Sequence, residues 1–123
     1  MDHSQGARSG SFKFADHMRD IAAIYSLRDR RFHFLNAAAE TILGIPRARL
    51  LDDAALLLPS IVDEDRPIAA AFFDEAVREG SAEAEFRVRR GDGTECWLAA
   101  RAFPAGSGDD LRALICEDIT ESL

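Results

Sequence analysis

One stretch, residues 83–103, most limits what this chain can fold into. Its first arm, Glu83-Ala84-Glu85-Phe86-Arg87-Val88-Arg89, alternates apolar and charged side chains. Period-two alternation marks a strand with one buried and one wet face. Gly91-Asp92-Gly93 follows, a sequence suited to the positive φ angles of a tight hairpin turn. In the second arm Cys96, Leu98, Ala100 and Ala102 share one face, and Trp97, Ala99, Arg101 and Phe103 share the other. A lone hairpin is marginal in water, so the rest of the chain must cover its apolar side.

Residues 1–11 are polar and contain Gly and Ser, which predicts a disordered N-terminal segment. A short flanking helix is predicted over 12–19, with Phe14 and Met18 at helical spacing and Ser11 as its cap. Residues 20–28 and 31–35 read as a first hairpin around Arg28-Asp29-Arg30. Ile21, Ala23, Tyr25 and Leu27 share one face of its first strand, and Phe32 and Phe34 alternate with an outward His33. Asn36 is a strong N-cap for a helix over 37–43, Gly44 a left-handed terminator, and Pro46 a block to continuation. One or two short helices are expected over 47–58, stopped by Pro59. The longest helix is predicted over 64–79, with Pro67 in its first turn and Gly80 at its end. Its apolar stripe reads Ile68, Phe72, Phe73, Ala76 and Val77, with Phe72 and Phe73 as the lid on the hairpin. A last strand is predicted over 111–116. Two hairpins flanking a helical block predict an α+β fold, an antiparallel sheet with helices on one face.

The 123 residues suffice for one core. No apolar run reaches bilayer length and the first ten residues lack a secretory pattern, so a cytoplasmic location is expected, with no membrane contact within this chain. A net charge of −7 argues against a nucleic-acid partner. Cys96 and Cys116 are predicted to be reduced core residues. They would fall nearly opposite each other if residues 104–110 join antiparallel strands. His33 lacks companions at metal-ligand spacing, and no metal site is expected. Asp52-Asp53 is more simply a helix cap and dipole partner than an acid/base pair. No Ser/His/Asp set or phosphate-binding glycine loop is present, so no catalytic residue is assigned and the domain itself is not expected to be an enzyme.

Three pieces in order resemble the PAS family over residues 20–120. Phe34-Leu35-Asn36-Ala37-Ala38-Ala39-Glu40 with Leu43-Gly44 is similar to its strand-Asn-helix-Gly segment. Phe86-Arg87-Val88-Arg89-Arg90-Gly91-Asp92-Gly93-Thr94 with Trp97 is similar to its hairpin, and Glu117-Asp118-Ile119-Thr120-Glu121 to its terminal Asp-Ile-Thr signature. Val62-Asp63 departs from the His-Pro that many relatives carry there. The resemblance implies a PAS fold, a five-stranded antiparallel sheet in the order 2-1-5-4-3 with helices on one face.

It also implies a sensory or regulatory module of a bacterial signalling protein, such as a histidine kinase or a cyclic-nucleotide-signalling protein. Such a module mediates dimerisation and relays signal to a C-terminal output domain, with residues 121–123 opening the linker. Signal exit is expected at Asp118, Ile119 and Thr120. A homodimer interface is expected at Phe12, Phe14, Met18, Trp97 and Phe103, which are surplus apolar surface. The alternative is a small-molecule or non-covalent flavin sensor. Its pocket between sheet and helices would be lined by Phe34, Asn36, Ile42, Leu56, Leu57, Phe72, Phe73, Phe86, Leu98 and Ala100. Haem is not expected, because residues 68–79 lack the family's His ligand. Residues 36–59 lack the adduct-forming Cys of light-sensing relatives. No cofactor is the first expectation, with flavin left open.

Overall fold

The computed structural model describes residues 15–123. The disordered segment predicted for residues 1–11, and Phe12 and Phe14 of the flanking helix, lie outside the described residues. Residues 16–20 run as turns and bends rather than as helix, with the Met18 amide donating to the Ala15 carbonyl.

The strands are β1 (Ile21–Ser26), β2 (Arg31–Leu35), β3 (Ala82–Arg89), β4 (Glu95–Ala105) and β5 (Leu111–Asp118). They form one five-stranded sheet in the order β2-β1-β5-β4-β3, and every neighbouring pair is antiparallel. Between β2 and β3 lie α1 (Ala37–Leu43), α2 (Arg47–Asp52), a 3-10 segment (Ala54–Ser60) and α3 (Arg66–Glu79). The architecture is the α+β one expected from the pattern of elements, and the sheet order is the one that the family resemblance implies.

Helix α3 packs on the sheet through Ala69, Phe72 and Ala76, all buried. Ile68 and Val77 are 45% and 51% exposed, so the stripe lies rotated from the one predicted. Ala69 and Ala76 are small enough to bring the helix axis close to the sheet, which leaves the larger flanking residues outside. Phe72 meets Phe86 with ring centroids 6.1 Å apart. Burying each ring contributes about 2 kcal/mol.

A bulge in the β1–β2 ladder changes which side chains face inward. Ile24 pairs with Phe34, but Tyr25 pairs with Phe32, so His33 is the extra residue. Phe32 and Leu35 both turn to the helix side and are buried, while Phe34 joins Ile24 on the outer face. Constant alternation through residues 32–34, as the sequence suggests, does not hold. The β4–β5 register pairs Cys116 with Ala100, four residues along β4 from Cys96. The two cysteines are not opposite, and both are free.

The hairpin turn departs from expectation in its glycines. Gly93 has φ 89°, but Gly91 is not left-handed. Gly91 instead lies against Gly44, the left-handed terminator of α1 (φ 72°). A Cβ at Gly91 would lie 2.8 Å from the Gly44 Cα. This backbone contact seats the helical block on the β3–β4 turn.

Candidate functional site

Among the described residues, the inner face of the sheet and the helices border an interior space and an open one. The interior one, about 50 Å³, has a wholly apolar lining that includes Leu57, Phe72, Phe73, Phe86 and Leu98. It is well below the roughly 300 Å³ at which ligand pockets begin. A flavin ring does not fit it. The second space, about 550 Å³, opens at the mouth of the cup between the β1–β2 turn, the 3-10 segment and the C-terminal half of α3. Leu57, Phe73, Phe32 and Leu114 line both spaces and so form the wall between them.

Five of the ten expected pocket residues thus meet around the interior space. Ala100 is buried nearby, and Ile42 and Leu56 pack against the core without lining either space. Phe34 is excluded by the bulge. Asn36 is wholly buried but serves as a clamp. Its Oδ1 accepts from the Ala22 amide at 3.0 Å, and its Nδ2 donates to the Asp20 and Ala15 carbonyls at 2.8 and 3.0 Å. Its side chain makes no cap hydrogen bond. Asp16 takes that role, accepting from the Ala37 amide at 2.8 Å.

Two carboxylates organise the hairpin. Asp65, at the start of α3, is 5% exposed. It receives Nε and an Nη of Arg87 at 2.9 Å each and the Arg87 backbone amide at 2.8 Å. These bonds hold its carboxyl below the ordinary range, outweighing burial. The same guanidinium lies over the Trp97 ring, 5.4 Å from its centroid. Beside this pair, Val62 donates to the Arg87 carbonyl and Ile61 bridges to Val88, covering the free edge of β3.

Asp118, at the end of β5, is the second. Its Oδ2 accepts from Arg90 at 2.9 Å, and its Oδ1 from the Thr120 amide and hydroxyl at 3.0 and 2.6 Å. The Thr120 hydroxyl in turn accepts from the Trp97 amide at 3.0 Å, and Ile119 donates to the Trp97 carbonyl. Burial raises the Asp118 carboxyl, but the Thr120 and Arg90 bonds outweigh it and leave it low. Asp118, Ile119 and Thr120 are therefore fastened to β4 and to the hairpin turn.

Arg112 had no place among the residues expected from the sequence; it lies on the inner side of β5, opposite Tyr25. It is 3% exposed. Its Nε donates to the Ala76 carbonyl at 2.8 Å and an Nη to that of Val77, while the other Nη donates to the Asp109 and Leu111 carbonyls. The Ala76 carbonyl, which also accepts from the Gly80 amide, and the Val77 carbonyl are thereby both bonded to Arg112 in the last turn of α3. His33 is exposed and bonds Asp29 at 2.7 Å. Asp53 caps the 3-10 segment through the Ala55 amide. Cys96 and Cys116 sit on the inner side. Burial raises both thiols, that of Cys116 to about 12, so they are unreactive at neutral pH. Among the described residues no cluster of three or more His, Cys, Asp and Glu is placed to hold a metal. Nor is any helix long and apolar enough to cross a membrane.

A five-stranded antiparallel sheet in the order β2-β1-β5-β4-β3, cupping short helices on one face, is the architecture of the PAS fold. The profile of the PAS-fold family matches residues 32–115, and the chain belongs to that family. Among solved structures, the PAS domain of a Colwellia psychrerythraea protein is similar over 96% of this chain and 98% of its own, with 20% identity and a TM-score of 0.69. The N-terminal domain of a diguanylate cyclase with a PAS/PAC sensor from Marinobacter aquaeolei covers 84% of this chain and 97% of its own, at 18% identity and TM-score 0.69. A Rhodobacter sphaeroides LOV protein is similar over 99% of this chain and 70% of its own, at 14% identity and TM-score 0.73. At these identities the likeness is one of fold. No curated protein sequence matches the chain.

Proposed function

We propose that this chain is the sensory relay module of a signalling protein, passing its state through the end of β5 to a C-terminal output domain, a histidine kinase or a cyclic-nucleotide enzyme. The observation that carries this reading is the lock of Asp118 and Thr120 onto Arg90 and Trp97. It joins the chain's exit to the hairpin covered by α3, so a shift in packing under the helix reaches residues 118–120. Packed elements with two discrete arrangements convert small shifts into such movements.

Asp118→Ala tests it. Hydrogen exchange at the Thr120 and Trp97 amides is expected to accelerate roughly tenfold, the loss of about one hydrogen bond's net contribution, with the core amides unchanged. In the parent protein the same substitution is expected to uncouple output from signal. Normal signalling by the variant would sink the relay.

The module is also proposed to self-associate through its outer sheet face. Phe34, Ile24, Ala113 and Phe103 form one apolar row across β2, β1, β5 and β4, and Phe103 is 41% exposed. Phe103→Glu is expected to convert a dimer to monomer in sedimentation velocity. A dimer that survives the substitution, or a wild-type monomer at micromolar concentration, defeats this interface.

A further inference from the structure

We propose that the backbone contact between Gly44 and Gly91 couples the point where the chain enters the domain to the point where it leaves, so that displacement of residues 15–16 reaches Asp118 by a route outside the sheet. The coupling rests on the relay reading and adds a second input to it, besides the packing under α3.

Three fastenings in series carry it. The first joins the entering chain to α1. Asp16 accepts from the Ala37 amide at 2.8 Å and from an Nη of Arg47 at 3.1 Å, and the Arg47 amide donates to the Glu40 carboxylate of α1 at 3.2 Å. The buried Asn36 side chain holds the Ala15 and Asp20 carbonyls. Residues 15–20 and α1 therefore move together. The second fastening is the seat of α1 on the hairpin turn. A Cβ at Gly91 would lie 2.8 Å from the Gly44 Cα and 3.5 Å from its nitrogen. Two glycines put no side chain between the backbones, so no rotamer change absorbs a shift of the helix end. The turn either stays seated or lifts, a discrete change rather than a graded one. The third joins the turn to the exit. Arg90, the neighbour of Gly91, donates through one Nη to Asp118 at 2.9 Å and through the other to the Thr94 hydroxyl and the Glu95 carbonyl.

The turn is stiff enough to transmit. The Arg90 amide donates to the Thr94 carbonyl at 2.7 Å and the Gly93 amide to the Arg90 carbonyl at 2.9 Å. The Asp92 carboxylate accepts from both the amide and the hydroxyl of Thr94. A body bonded in this way rocks as a unit, and a push at Gly91 becomes a pull at Arg90.

The test is amide hydrogen exchange on the whole chain. It is read at the exit amides of Trp97 and Thr120 and at the Gly44 amide, which donates to the Glu40 carbonyl. Gly91→Ala unseats the turn without a left-handed backbone cost, since Gly91 has no positive φ. Asp16→Ala frees the entry from an exposed position. Circular dichroism verifies that each folds, and Asp16→Ala decides alone if Gly91→Ala does not. Each is expected to accelerate exchange at Trp97 and Thr120 about fivefold relative to amides in the middle of α3, the lower end of coupling between sites. Coupling is reciprocal, so Asp118→Ala is expected to accelerate the Gly44 amide by a similar factor. In an Arg90→Gln chain, whose turn no longer grips Asp118, adding Asp16→Ala is expected to change the exit amides by less than about twofold. Gly80→Ala, at the left-handed end of α3, controls for lost stability and is expected to leave the exit amides in step with the rest. Wild-type exit rates in Asp16→Ala alongside accelerated ones in Asp118→Ala overturn the coupling and leave the relay reading standing. An undiminished response to Asp16→Ala in the Arg90→Gln chain also overturns the coupling. Unchanged exit amides in Asp118→Ala itself overturn both.

Discussion

Gly44→Ala is expected to lower stability by about 3 kcal/mol and the melting temperature by about 10 °C. Two costs combine. Gly44 holds φ 72°, a conformation that costs an L-residue about 1–2 kcal/mol. A Cβ there would also collide with the Gly91 backbone, and backbone cannot swing aside as a side-chain tip can. Overpacking of that kind adds about 1–3 kcal/mol. Gly93→Ala provides the comparison. It shares a positive φ of 89°, but a Cβ there meets nothing within 4 Å. Its loss is therefore expected to be limited to the conformational cost. Equal losses at the two positions, measured by thermal and urea denaturation, would show that the Gly44–Gly91 contact contributes nothing.

Asp65→Ala is expected to cost about 2 kcal/mol, the effect of removing a buried carboxylate that accepts three hydrogen bonds from a half-buried arginine. It leaves the Arg87 backbone amide without its acceptor and the guanidinium with only the looser Glu64 and Glu95 carboxylates, each 3.8 Å away, and loosens the Arg87 side chain from its place over Trp97. The effect depends on pH in a defined direction. The Arg87 bonds hold the folded carboxyl below its ordinary value near 3.8. The charged form thus stabilises the fold fully above about pH 5 and loses that contribution as pH falls through the folded value. The difference in stability between wild type and Asp65→Asn should be constant from pH 5 to 8 and shrink toward pH 3. A difference unchanged down to pH 3 would mean that the carboxylate's charge is irrelevant and only its shape matters.

The sequence made the strands legible through alternation and the helix ends through Gly44, Pro67 and Gly80, each of which acts on its own neighbourhood. What it concealed is non-local. Gly91 looked like a turn residue, yet its small size serves a helix terminus 47 positions earlier, since the contact joins residues 44 and 91. Asn36 looked like a helix cap, yet its amide closes the entry to β1. Phe34 looked inward because period two was continued through His33, where the bulge breaks it. No local pattern distinguishes a bulged strand from a regular one when the extra residue is polar and exposed. The rotated stripe of α3 has a similar origin, since Ala69 counts little in an apolar pattern but fits closest to the sheet. Of the pocket residues, Leu57, Phe72, Phe73, Phe86 and Leu98 were readable as inward and large. The mouth was not, because it is framed by turn residues whose meeting depends on the Ser26–Asp110 tie.

The bonds of Arg112 have a mechanical consequence. One end of β5 is bolted through that guanidinium to the final turn of the long helix, and the other ends at the carboxylate of Asp118. Six residue steps separate them, about 20 Å of extended backbone. A strand hydrogen-bonded on both flanks resists stretching, so it behaves as a push-rod. Whatever tilts the helix at one end must displace the rod lengthwise or break a bond at the other.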